Sequence, residues 1–222
     1  MRAAPIARTF PGVARTLLAL EYGLFAAGLP LAYVLGWIPL APIPALWLVA
    51  AICVALLARS GDFDWRCLWN ADRLGRRLVL ASLPFLTGAP LLLLITAAVA
   101  PDRWFGLIRD RPGLWLAIVV LYPLLSVYPQ GIVYRAFVFH RYRPLFPSAR
   151  ARILASAVAF SAVHVIFENW IAPLLTLAGG LVFGWTYERT RSSLVVAVQH
   201  SLFGCFLFTI GLGWYFYSGA GR

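Results

Sequence analysis

Lysine is absent from this 222-residue sequence, acidic residues are few and thiols fewer still. Eight aspartates and glutamates face nineteen basic residues, all arginine, for a formal net charge of +11. Cys53, Cys67 and Cys205 form no CxxC pair and no even framework, which excludes a disulfide scaffold and a thiolate zinc site. They read as small apolar fillers. Charged residues make up 12% of the chain against 62% hydrophobic ones, which excludes the soluble and disordered classes. Asp62, Asp64 and Asp72 lack the glycine-spaced pattern of a calcium loop and read as a solvated loop with local ion pairs. No internal repeat and no linker divides the sequence. A soluble protein this basic would suggest nucleic acid. Here the arginines fall between apolar runs and build no separate basic face, so no nucleic-acid partner is expected.

What is present is apolar sequence in span-length pieces. A helix crossing a bilayer needs about 20 mostly apolar residues. Such runs are predicted at about 16–36, 45–58, 78–100, 114–134, 153–171, 174–187 and 193–217. The chain is therefore expected to be an all-α polytopic membrane helix bundle of about seven transmembrane helices, in one domain over 1–222. The run at 45–58 is short, so it starts earlier or tilts. Pro84 and Pro90 should kink the third span, and Pro123 and Pro129 should break or kink the fourth. Residues 137–152 read as an amphipathic, arginine-rich connector lying along the interface. Glu21 reads as an interfacial carboxylate near Arg15. An aromatic belt, Trp214-Tyr215-Phe216-Tyr217, ends the last span.

Seven spans fix the side of every loop once one is fixed. With the N-terminus inside, Arg103, Arg109, Arg111 and Arg222 lie outside and the other fifteen arginines lie inside. That excess predicts an N-inside, C-outside topology, with a bacterial inner membrane as the expected location and lipid as the first partner.

Polar groups inside such spans mark function by default. At 1.5 Å rise per residue, His200 falls about 10 Å from the inner end of its span, His164 about 17 Å and Gln130 about 7 Å. The three could open on one inward-facing cavity. Histidine suits proton transfer near neutral pH and is a common metal ligand. His164 and Glu168 are four apart, so a carboxylate can sit above the imidazole. The alternative for either histidine is a bond to a neighbouring helix. His140 lies in the basic collar as a solvated interfacial group. Arg135 reads as a structural tie whose fork holds helix ends or carboxyl groups.

Gln130-Gly131-Ile132-Val133-Tyr134-Arg135, then Phe160-Ser161-Ala162-Val163-His164, then His200-Ser201-Leu202-Phe203-Gly204 follow one another on three different spans. Their spacing resembles the three motif blocks of the CPBP, or Abi, family of CAAX-processing and bacteriocin-processing intramembrane proteases: Glu-Glu-x-x-x-Arg, Phe-x-x-x-His and His-x-x-x-Asn/Asp. The resemblance spans about Leu114 to Tyr217, leaving 1–112 as accessory helices and 113–217 as the family-like core. It implies a glutamate-and-histidine site that activates water to cut a peptide bond, with a membrane-associated or prenylated peptide as partner. It also implies a divalent metal such as zinc, held by His164 and His200. The departures lie in the chemistry. Gln130 and Gly131 replace both glutamates, and Gly204 replaces the Asn or Asp. Glutamine is no general base and glycine has no side chain. The expected roles are His164 as acid/base, His200 as oxyanion or ligand residue, Gln130 as a polar contact in place of an acid, and Glu168 as a relocated base. An inactive, peptide-binding family member and a proton-relaying transporter component are the alternatives.

Overall fold

A computed structural model describes residues 11–216; Arg2, Arg8, Tyr217 and Arg222 lie outside the described residues. Every element among these residues is helical. Helix α1 covers 11–34, with a π turn at Leu24–Gly28. It is followed by α2 (Pro42–Ser60), α3 (Leu74–Val99), α4 (Pro112–Arg141), α5 (Ala149–Val163), α6 (Ile171–Thr190) and α7 (Ser193–Ile210). Six of these helices are both long and apolar enough to cross a membrane, so the protein is an integral membrane protein. Helix α6 is also span-length, 20 residues or about 30 Å, although its C-terminal end is more polar.

Local chemistry explains most boundaries. Pro42 and Pro44 sit in the first turn of α2, where a missing N–H costs nothing, so that helix starts before the apolar run does. Ser148 and Ser192 cap α5 and α7, accepting hydrogen bonds from Ala151 N at 3.1 Å and Val195 N at 3.2 Å. Helix α7 ends at Gly211, whose φ of +111° continues no helix. Side-chain space is also lacking there, because a Cβ would collide with the Arg103 carbonyl.

Helices α5 and α6 form the closest pair. A Cβ on Gly180 would stand 2.9 Å from Ala157 Cα, and one on Gly184 would stand 3.3 Å from Ile153 Cγ2. Small residues spaced by four let backbones approach where lipid removes the hydrophobic drive for helix association. Lipid instead meets the outer faces, where Leu20, Leu24, Leu86 and Leu94 are exposed.

Four expectations are corrected. Of the break or kink expected at Pro123 and Pro129, the break does not occur: α4 runs on, with π turns at Pro123–Val127 and Ile132–Phe137 on either side of the helical turn that holds Pro129. The stretch at 137–152 is not one amphipathic connector: residues 143–148 form a mostly exposed link, but those before it are core. Phe137, Val138, Phe139 and Tyr142 are all at most 3% exposed, at the centre of the main core. Glu21 pairs with Arg141 through two bonds of 2.9 and 2.6 Å, and it accepts from Tyr142 Oη at 3.2 Å, so it ties α1 to α4 and is not Arg15's partner. The loop before α3 is not wholly solvated either. Its short helix Arg66–Trp69 buries Cys67 and Leu68, and the Tyr187 hydroxyl reaches Cys67 Sγ at 3.3 Å. Burial pushes the Cys67 thiol above its usual range.

Beyond Gly211 the chain turns into a 3-10 helix, Leu212–Phe216, where a simple interfacial belt was expected. Asn169 Nδ2 donates to Tyr215 O at 2.9 Å, and the Phe216 ring packs 6.0 Å from the His164 ring. This turn covers one side of the polar site.

Candidate functional site

The three motif blocks lie on α4, α5 and α7, and packing brings them together around two phenyl rings. Phe160, from α5, has the His164 ring at 4.7 Å and the His200 ring at 5.5 Å between centroids. Phe183, from α6, stacks on His200 at 4.6 Å and 27°. Arg135, from the π turn of α4, sets its guanidinium carbon 4.3 Å from the Phe160 centroid and 5.4 Å from that of Phe183. Both imidazoles and the guanidinium therefore share one aromatic wall. All three side chains are buried, His164 at 8% exposure, His200 at 6% and Arg135 at 0%.

The hydrogen bonds constrain what each group can do. His164 Nδ1 lies 2.6 Å from the Phe160 carbonyl. A carbonyl only accepts, so Nδ1 carries the proton and the Nε2 lone pair of the neutral ring stays free for a base or ligand role. His200 Nε2 meets the Tyr122 hydroxyl at 3.1 Å. Gln130 Nε2 donates to Ser126 Oγ at 2.7 Å, one turn back on α4, and its buried Oε1 has no partner. Ser156 Oγ donates to Tyr134 O at 2.6 Å and pins α5 against α4 beside Arg135.

Two expected arrangements are not met. Helix α5 stops at Val163 and continues as a 3-10 turn, His164–Phe167, that ends on Glu168 with φ +57°. The helical i,i+4 relation is lost there. Glu168 is exposed, and no hydrogen bond joins it to His164. Arg135 ties neither a helix end nor a carboxyl group: none of its three guanidinium nitrogens has a hydrogen-bond partner. His140 stays clear of the site, as expected, against Ser60 and Asp62.

No acid reaches the cluster. Glu21 is held by Arg141, Asp62 by His140, Asp110 by Arg109, and Glu188 by Arg152 and Arg191. Asp64, Asp72, Asp102 and Glu168 are exposed. These are all eight acids of the sequence. Among the described residues no three His, Cys, Asp or Glu side chains converge. A catalytic zinc takes three protein ligands and keeps one position open. Two imidazoles, one of them engaged by Tyr122, do not match that donor set, so the divalent metal that the resemblance implies does not fit these residues.

Tyr122 and Phe183 belong to no motif block, and sequence patterning passed over both as apolar helix residues. The one pointer to Tyr122 was Gly204, because a missing side chain next to a buried histidine has to be filled from elsewhere. A Cβ at Gly204 would stand 2.6 Å from the Tyr122 hydroxyl oxygen and 2.8 Å from Cζ. The tyrosine occupies the volume that an Asn or Asp would take and makes the bond to His200 from there.

Fold and site together define a polytopic membrane protein with a buried histidine-arginine cluster assembled from separate helices. Residues 111–206 match the Rce1-like family, described as type II CAAX prenyl endopeptidase Rce1-like, and this segment is a domain of that family. The match runs from the start of α4 into α7 and contains Gln130, Arg135, His164 and His200. Comparison with curated proteins and with solved structures found no match.

Proposed function

We propose that the domain captures a membrane-associated, prenylated peptide in the manner of its family and holds it without hydrolysing it. The observation that carries this reading is the position of the acidic side chains: all eight are paired elsewhere or exposed, and none is hydrogen-bonded to His164 or His200. Water activation for amide cleavage needs a base within hydrogen-bond reach, and here that role falls to an imidazole such as His164, whose Nε2 is free, with no carboxylate behind it. In this reading His164, His200, Gln130 and Arg135 line the peptide site. The helices before residue 113 are accessory, and the arginine asymmetry supports entry from the inner leaflet with the N-terminus inside. The test is a farnesylated peptide with a fluorophore on each side of the scissile bond, added to protein in liposomes. The wild type is expected to bind it and release no product, whereas Gln130→Glu combined with Gly131→Glu restores the motif acids and should yield product.

A second reading keeps the endopeptidase activity, with Glu168 as a relocated base serving His164. It is favoured by the free His164 Nε2, and it requires Glu168 to turn inward from its exposed place. Turnover by the wild type would overturn the capture-only proposal, and its disappearance in Glu168→Gln would establish the relocated base.

A further inference from the structure

Arg135 is the least satisfied side chain among the described residues. It is fully buried, and Nε, Nη1 and Nη2 have no hydrogen-bond partner among those residues. A guanidinium carries five N–H donors in a planar fork that matches a carboxylate. The faces of Phe160 and Phe183 compensate only in part. A cation–π contact returns less than it costs to strip an ion of water. No acidic side chain is left to offer, since all eight are placed elsewhere. Four residues before Arg135 on α4, immediately ahead of the π turn that holds Arg135, stands Gly131, which is itself buried. A Cβ built there would meet nothing within 4 Å. A buried cation without a partner among the described residues and room for a side chain at Gly131 therefore lie four residues apart on α4.

We propose that this is a carboxylate-binding site, in which Arg135 receives a carboxylate brought by the ligand into the space beside Gly131. The ligand group that fits the proposed function is the free α-carboxylate of a bound peptide's C-terminus, and to that extent the inference rests on that reading. The carboxylate would take the fork of Arg135 bidentately, in the volume that a side chain at position 131 would otherwise use. Gln130, whose Oε1 is buried without a partner, carries no charge and offers the cation no competing anion.

The experiment uses the full-length protein in detergent, with two probes. A farnesylated peptide with a free C-terminus is compared with its C-terminal amide by equilibrium binding. Separately, thermal unfolding is followed in sodium acetate and in sodium chloride of equal ionic strength. The wild type should bind the free acid about tenfold tighter than the amide, because a charge-assisted pair is lost in the latter, and acetate should raise its melting temperature above that in chloride. Arg135→Gln should abolish both differences. Gly131→Glu should abolish them too, by giving Arg135 a carboxylate from within the chain, and it serves as the reporter should Arg135→Gln fail to fold. Equal binding of acid and amide by the wild type, with no acetate-specific stabilisation, overturns the proposal. An acetate effect that is lost in Gly131→Glu, with neither peptide binding, sustains the carboxylate site and removes the peptide-capture function instead.

Discussion

The contact between Tyr122 and Gly204 allows the sharpest test of how this site is built. Gly204→Ala adds one carbon that must lie 2.6 Å from the Tyr122 hydroxyl oxygen and 2.8 Å from Cζ. The tyrosine cannot simply swing aside, because Phe208 stands edge-on at 5.6 Å and His200 at 6.0 Å. Overpacking of this kind costs about 1–3 kcal/mol. Pushing the hydroxyl off His200 Nε2 forfeits a buried hydrogen bond worth about 1 kcal/mol more. The expected net destabilisation is therefore about 1–3 kcal/mol, once the roughly 1 kcal/mol by which alanine suits a helix better than glycine is subtracted. In a Tyr122→Ala background the same substitution meets open space, and the helix propensity should make it neutral or stabilising. The difference between the two backgrounds, about 2–4 kcal/mol, is the coupling energy of a double-mutant cycle. Denaturant titration in mixed micelles, followed by tryptophan fluorescence, measures it. A cost for Gly204→Ala that is the same in both backgrounds to within about 0.5 kcal/mol would refute the claim that Tyr122 fills the position-204 volume.

Three further outcomes are expected. Gly180→Ala should wedge α6 from α5, because the new carbon meets Ala157 backbone at 2.9 Å; a loss of about 1–3 kcal/mol in the same titration is predicted. Arg152→Gln should cost about 2 kcal/mol, less than an isolated buried pair. Arg152 Nη2 holds Glu188 at 3.0 Å and Nη1 holds Pro147 O at 2.7 Å, but Arg191 still reaches that carboxylate at 3.0 Å; a loss equal to that of a neutral exposed substitution would refute the pairing. Glu21→Gln should leave the family domain folded while freeing α1 from α4, read as faster proteolytic cleavage between α1 and α2 at unchanged midpoint for the rest. Because that pair is about a third exposed, a global loss of stability would refute its local character.

Much of the fold was legible because its signals are local. A run of apolar residues long enough to cross a bilayer is visible in any window that holds it. Phe160 with His164 and Gln130 with Arg135 were legible as well, since their spacings are fixed along the chain. Where α4 passes through two π turns and α5 closes in a 3-10 turn, the spacing rule itself changes. Glu168 was assigned to the His164 face by helical counting, and the tighter turn carries it into exposure.

Sequence alone determined that this is a helical membrane protein and which histidines sit inside it, because hydrophobic length and buried polarity are properties of single segments. Tertiary structure alone decided that Tyr122 answers for Gly204, that Glu21 belongs to Arg141, and that Arg135 is left facing two phenyl rings with no acid. Partners drawn from different helices depend on how those helices rotate and cross, and close approach at residues such as Gly180 sets that geometry across the bundle, where no periodicity along one segment can record it.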